Sequence, residues 1–119
     1  MTVLEPEPLR SAEVALDNPA TKRSAQLTKA LGHPVRLAIL KLLTQRDTCF
    51  CGDFTDVLPL AQSTVSQHLK VLKDAGIING TSSGVRTCYC LNTEGVEELN
   101  ECLESLSDMF KMTSRPDCC

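Results

Sequence analysis

The stretch Leu58 to Ile78, LPLAQSTVSQHLKVLKDAGII, constrains the fold more than any other part of the chain. A proline-containing breaker leads into a run with helical apolar spacing, and a glycine stops it. Val65, Leu69 and Leu72 recur at intervals of four and three, which is one face of an α-helix. The opposite face carries Gln62, Ser63, Ser66, Gln67 and Lys70. A helix that only meets water usually carries Glu/Lys pairs. A face that touches base edges and phosphates wants amides, hydroxyls and a few cations. The stretch therefore predicts a helix that reads nucleic acid, and the remaining segments are read for what holds it, doubles it and switches it.

A chain of 119 residues makes one small domain. Aromatics are 3% of it and there is no Trp, so the core must be aliphatic. No run of ~18 apolar residues exists, which argues against a membrane span. The start, MTVLEPEPLR, is acidic and holds two prolines, unlike the basic and then apolar start of a secretion signal. A cytoplasmic location is the expectation. Seven cysteines in a reducing compartment point to metal or redox chemistry rather than to a structural disulfide framework. The net charge of −3 is unevenly spread: residues 18–46 hold six cations and no anions, whereas residues 93–119 hold two cations and seven anions. A basic middle between acidic ends sets a local field that attracts phosphate.

In chain order, residues 1–20 read as a flexible arm interrupted by Pro6, Pro8 and Pro19. Residues 21–112 read as the folded domain, and 113–119 as a flexible tail ending in two cysteines. A first helix is predicted from Thr21 to Leu31, stopped by Gly32. A second runs from Pro34 to Leu43, with His33 as a possible cap and Arg36, Lys41 and Arg46 turned to solvent or phosphate. RDTCFCGDFTDVL predicts a third helix, capped by Asp47 or Thr48 and ending before Pro59. With the short turn at Leu60 and Ala61 and the helix that follows, it has the proportions of a helix-turn-helix. Ala61 is a poor residue for the N-cap of that following helix.

After Gly76 the period changes. Ile77–Thr81 and Val85–Leu91 flank a Gly- and Ser-rich turn and predict a β-hairpin, a wing with Arg86 beside its tip. The last helix, Thr93 to Met112, spaces Val96, Leu99, Leu103, Leu106 and Phe110 by three and four, with Glu94, Glu97, Glu98, Glu101 and Glu104 outside that seam. A narrow apolar seam on an acidic helix predicts pairing with its twofold copy through Leu99, Leu103, Leu106 and Phe110, with packing inside its own monomer as the alternative. The fold class is thus mainly α with a β-hairpin wing: a winged helix-turn-helix dimerised through terminal helices. Gln62, Ser63, Thr64, Ser66, Gln67 and His68 are the candidates for the major groove of double-stranded DNA, and Lys70 and Arg86 for phosphate or the minor groove. Thr64 has the alternative of facing the protein. No phosphate loop and no nucleophile–base set is present, so an enzyme is not expected. A winged-helix module that binds only protein is the alternative, against which the amide-rich face and the basic middle weigh.

ALGHPVRLAILKLL, QSTVSQHLKVLKDAGI and CFCGDF together carry a resemblance. From about Ala25 to Phe110 the chain resembles the ArsR/SmtB family of metal-responsive bacterial repressors. CFCGDF is similar to the Cys-x-Cys-Asp-Leu motif of its arsenic- and cadmium-responsive branches. The resemblance implies a winged-helix homodimer on an operator near a resistance operon, released by a soft metal or metalloid. It implies a soft-ion inducer, read here as arsenite or antimonite, at Cys49 and Cys51; further sulfurs are expected from one or both of Cys118 and Cys119, a vicinal pair on a tail long enough to reach them. The rival set is Cys102 with Cys118 and Cys119. Two departures stand out. The third cysteine of arsenic-responsive members, three residues after the second, is Phe54 here, and the final helix has no histidine for a zinc site.

Thiolate sites select soft ions. Two residues apart on a helix, Cys49 and Cys51 would lie about 200° apart around the axis, so joint ligation would need a frayed turn. Cys88 and Cys90 share one face of the second wing strand, and read most simply as two small strand residues, alternatively as a second soft-metal site. Cys102 reads as an interface residue. Close thiols can also form disulfides or persulfides, so a redox-sensing repressor of the same fold, or a cadmium or lead sensor, is the alternative function.

Overall fold

The computed structural model describes residues 16–46 and 49–112. Its first helix, α1 (Pro19–Leu31), starts two residues before the expected Thr21. Asn18 supplies the reason: its side-chain oxygen accepts from the N–H groups of Ala20 (2.8 Å) and Thr21 (3.2 Å), with Pro19 in the first turn. Helix α2 (Pro34–Thr44) is capped by His33, whose Nδ1 accepts from the Val35 N–H at 3.1 Å. Arg36 does not look to solvent. Its Nε and Nη2 donate to the carbonyls of Ala30 (2.7 Å) and Lys29 (2.9 Å) in the last turn of α1, the latter also accepting from the Gly32 N–H. Arg46 lies over the Phe50 ring, 4.6 Å from its centre.

The helix expected between Asp47 and Pro59 does not form. Cys49 to Cys51 is extended instead, and Phe50 bridges to Tyr89 through two backbone hydrogen bonds of 2.8 and 2.9 Å. A single 3₁₀ turn, Phe54–Asp56, follows, with the Asp53 carboxylate accepting from the Thr55 N–H. The physical reason is burial. Phe50 and Phe54 are 6% and 3% exposed, and an extended segment sends Phe50 inward while the flanking cysteines point outward. The proposed caps Asp47 and Thr48 lie outside the described residues. The first helix of the expected helix-turn-helix is therefore reduced to this turn.

Helix α3 (Gln62–Asp74) buries Val65, Leu69 and Leu72. Ala61 occupies its N-cap and makes no side-chain cap. Its other end is better closed. The Gly76 N–H donates to Lys73 O (2.9 Å) and the Ile77 N–H to Leu72 O (3.1 Å), with Gly76 at φ +82°, where an L side chain is strained. The wing follows as β1 (Ile78–Ser83) and β2 (Arg86–Leu91), antiparallel, with Ile78 opposite Leu91 and Ser83 opposite Arg86.

Helix α4 (Thr93–Lys111) is capped by Asn92, which accepts from the N–H groups of Glu94 and Gly95. Arg23 of α1 forks onto Glu98 of α4 with two bonds of 2.7 Å and donates to Ala75 O at 3.0 Å. That guanidinium, by its hydrogen bonds, holds the Glu98 carboxyl below the usual carboxylate range. The core gathers Leu27 and Ala30 of α1, Ile39 and Leu43 of α2, the α3 stripe, Ile77, Ile78 and Leu99, with Phe50 and Phe54 at its edge. Beyond Leu99 the apolar seam of α4 leaves this core: Leu103 is 40% and Phe110 69% exposed, while Leu106 is half-buried.

Candidate functional site

The face of α3 turned away from the core presents Gln62, Ser63, Ser66 and Gln67, all exposed. Gln62 Nε2 donates to Ser66 Oγ at 3.0 Å, so amide and hydroxyl sit as a pre-formed pair one turn apart. Thr64 is half-buried at the margin of this face. Lys70 is exposed and pairs with Asp74 at 2.9 Å. Arg86 is exposed where β2 leaves the wing tip. Between α3 and the wing lies an open cleft whose walls include Gln62, Ser66, Arg86, Tyr89, Asp53 and Cys51. The Asp53 carboxyl is held below its ordinary range by its hydrogen bonds from Thr55.

His68 is placed differently from the other candidates. It is half-buried, 4.2 Å from the His33 ring between centres, and 3.1 Å from Arg36 Nη1. Arg36 has no acceptor, so it donates to His68 Nδ1 and the neutral imidazole is the form that fits. Burial first, then the charges of His33 and Arg36, pushes the His68 pKa below its ordinary 6.5. A lowered folded-state pKa means that the unfolded chain binds the proton more tightly. Stability from this group is present above pH 6.5 and is lost as pH falls through the folded-state value. Urea unfolding across that range should show a His68→Gln protein with a shallower acid loss than the wild type. An unchanged slope would remove His68 from the account.

The thiols are brought together in an arrangement that local sequence patterns do not predict. Phe50 and Tyr89 form a hydrogen-bonded cross-strand pair, so their neighbours stand opposite one another in the close, non-hydrogen-bonded positions. Cys49 is joined to Cys90 and Cys51 to Cys88 as disulfides, with Cα separations of 4.5 and 4.0 Å. The helical placement of Cys49 and Cys51, 200° apart, is corrected by this: on an extended segment both face the same side. Cys88 and Cys90 are likewise more than two small strand residues. Because Phe50 and Tyr89 point into the aromatic cluster with Phe54, the four cysteines share the opposite face. The period-two pattern Cys-Phe-Cys and Cys-Tyr-Cys, apolar ring between two thiols, is the signal that the sequence does hold. Cys102 is free and packs at the edge of the core. Cys118 and Cys119 lie outside the described residues. Among the described residues no group of three or more His, Cys, Asp or Glu stands ready around an ion.

Similarity to known proteins agrees with this geometry. Residues 31–81 match a family of helix-turn-helix domains. The chain is 38% identical over 99 residues to the arsenical resistance operon repressor of Bacillus subtilis, covering 82% of this chain and 91% of that protein. It is 41% identical over 68 residues to the transcriptional repressor SmtB of Mycobacterium tuberculosis, covering 57% of this chain and 50% of that protein. Among solved structures, the homodimeric winged helix-turn-helix DNA-binding domain of a possible ArsR-family regulator from Mycobacterium bovis matches with a TM-score of 0.59. It covers 83% of this chain and 91% of its own, at 24% identity, and so speaks to the fold alone. No described helix is long and apolar enough to cross a membrane.

Proposed function

Because the chain belongs to the ArsR/SmtB family of winged helix-turn-helix transcriptional repressors, we propose that it binds a palindromic operator in the cytoplasm as a homodimer. Trivalent arsenic or antimony, captured by thiolates that include Cys49 and Cys51, releases it. As a member of that family it is a DNA-binding regulator and not an enzyme. The observation that carries the proposal is one cleft. Gln62 and Ser66 of the reading helix, Arg86 of the wing and Cys51 all line it. Cys51 is thus a wall residue of the cleft that the reading helix and the wing form, so an ion that moves Cys51 acts on that cleft. The donor chemistry fits: thiolates on one strand face, with no histidine among them, select a soft trivalent ion over a hard one.

The direct test titrates arsenite into a complex of the reduced full chain with DNA from upstream of its own gene. Coupling between two sites is typically ~1–3 kcal/mol, so operator affinity should fall by roughly 5- to 150-fold. Unchanged affinity at saturating arsenite would overturn the proposal. In the same assay Arg86→Ala should lower the salt dependence of binding by about 0.9 of a log unit for each phosphate that the guanidinium neutralises, with little change in sequence preference.

The paired cysteines favour a second reading, in which oxidation of the thiols is itself the signal. Release of DNA by a hydroperoxide without metalloid, reversed by dithiothreitol, would distinguish it.

A further inference from the structure

The sequence motif supplies two sulfurs for an ion that prefers three, and no third cysteine follows them in the 3₁₀ turn, where Phe54 stands. The fold supplies others. Two-residue cysteine pairs on two antiparallel strands meet in register, Cys49 opposite Cys90 and Cys51 opposite Cys88, on one outward face. Cys51, Cys88 and Cys90 are half-buried and Cys49 is exposed, so the cluster is open to a small solute. On its inner side the Phe50, Phe54 and Tyr89 rings form a fixed floor, with centres 4.5 and 5.8 Å apart along the row.

We propose that Cys49, Cys51, Cys88 and Cys90 form one trivalent-metalloid site, in which the wing strand β2 contributes the third thiolate. The proposal rests on the metalloid reading above and assigns its missing ligand. In the disulfide state the four sulfurs are committed to one another and the site is closed to arsenite. A cytosolic dithiol opens it by exchange: each disulfide becomes two thiols as the dithiol becomes a disulfide. Arsenous acid then loses its three As–O bonds and gains three As–S bonds. The three thiol protons leave with the three hydroxyl groups as water, and arsenic keeps its oxidation state. Three of the four sulfurs suffice.

The location gives the site its leverage. Cys88 lies two residues from Arg86 along β2, and Cys51 lies three residues before Phe54, which packs under α3. Drawing the Cys49–Cys51 segment and β2 around one ion moves both elements that meet DNA, the wing directly and the reading helix through the 3₁₀ turn. No movement of the terminal tail is required.

The experiment uses the full chain, reduced, with arsenite as the probe. X-ray absorption at the arsenic edge should count three sulfurs in the wild type and in Cys118→Ser/Cys119→Ser. In Cys88→Ser/Cys90→Ser it should count two sulfurs and one oxygen, with arsenite bound roughly 100-fold more weakly, as when one arm of a chelate is removed. Three sulfurs retained in the wing variant, or fewer than three in the tail variant, overturns the proposal. A second measurement needs no variant. Arsenite should protect Cys49, Cys51 and one of Cys88 and Cys90 from alkylation while Cys118 and Cys119 stay labelled; the opposite pattern overturns it. Protein oxidised to both disulfides should bind no arsenite. Binding through the wing with no loss of operator affinity would leave this site standing and remove the derepression reading instead.

Discussion

Gly95→Ala is expected to lower the stability of the protein by about 3 kcal/mol or more, at the upper end of what overpacking costs. The first turn of α4 lies directly on the chain reversal that ends α3. A Cβ at Gly95 would stand 1.8 Å from the Gly76 carbonyl oxygen and 2.8 Å from its carbon. Both are backbone atoms, so no side chain can swing aside. Gly76 is itself fixed at φ +82° by the bonds that close α3, and Ile77 O accepts from the Asn92 N–H at 2.9 Å just before α4 begins. Relief must separate α4 from the core and with it Leu99 and the Arg23–Glu98 pair. Urea unfolding followed by circular dichroism measures the loss. A midpoint equal to the wild type would show that α4 does not approach the reversal so closely. Gly84→Ala is the comparison: nothing lies within 4 Å of its Cβ, and only its φ of +65° opposes the change, for about 1 kcal/mol.

Leu103→Glu/Phe110→Glu is expected to leave the monomer folded and to lower operator affinity by roughly 10²- to 10⁴-fold, as happens when two linked sites become separate. Both side chains are exposed on α4, beyond the part of the helix that its own core covers, so the substitutions create no cavity. If the seam pairs with its twofold copy, four carboxylates then meet at one isologous surface. Sedimentation equilibrium should show a single chain, and the salt dependence of residual DNA binding should fall to about half, because one protomer neutralises half as many phosphates. A dimer of unchanged strength would place the interface elsewhere.

Much of this architecture is legible in the residues. Helix α3 declares itself by the spacing of Val65, Leu69 and Leu72, and the hairpin by its change of period after Gly76. The seam of α4 is visible as a pattern, but not how it divides: Leu99 goes into the chain's own core, and Leu103 and Phe110 stay exposed. Each is a local signal, carried by residues a few positions apart. The segment around Cys49 reads wrongly as a helix because the cap residues Asp47 and Thr48 and the stop at Pro59 outweigh its own alternation of thiol and ring. The partners that make it extended stand 37 and 41 residues away, and no local rule reaches that far. For the same reason Arg36 reads as a solvent residue. The carbonyls it satisfies belong to the preceding helix and become neighbours only when α1 and α2 fold against one another. His68 follows from Arg36: once the guanidinium is turned inward, it offers the ring a donor at the half-buried margin of α3.

Tyr89 is the only tyrosine, and the chain has no tryptophan. Its phenol therefore carries essentially all the intrinsic ultraviolet fluorescence, and it sits on the strand between Cys88 and Cys90, edge-on to Phe54. The emission of the unlabelled protein thus reports from one residue at the strand bridge rather than from an average over the fold. Opening the bridge, closing it by oxidation or drawing it around an ion each alters what surrounds that ring. Stopped-flow emission can time events at this bridge with no probe added to the protein, and so tests the proposed order of thiol event and DNA release.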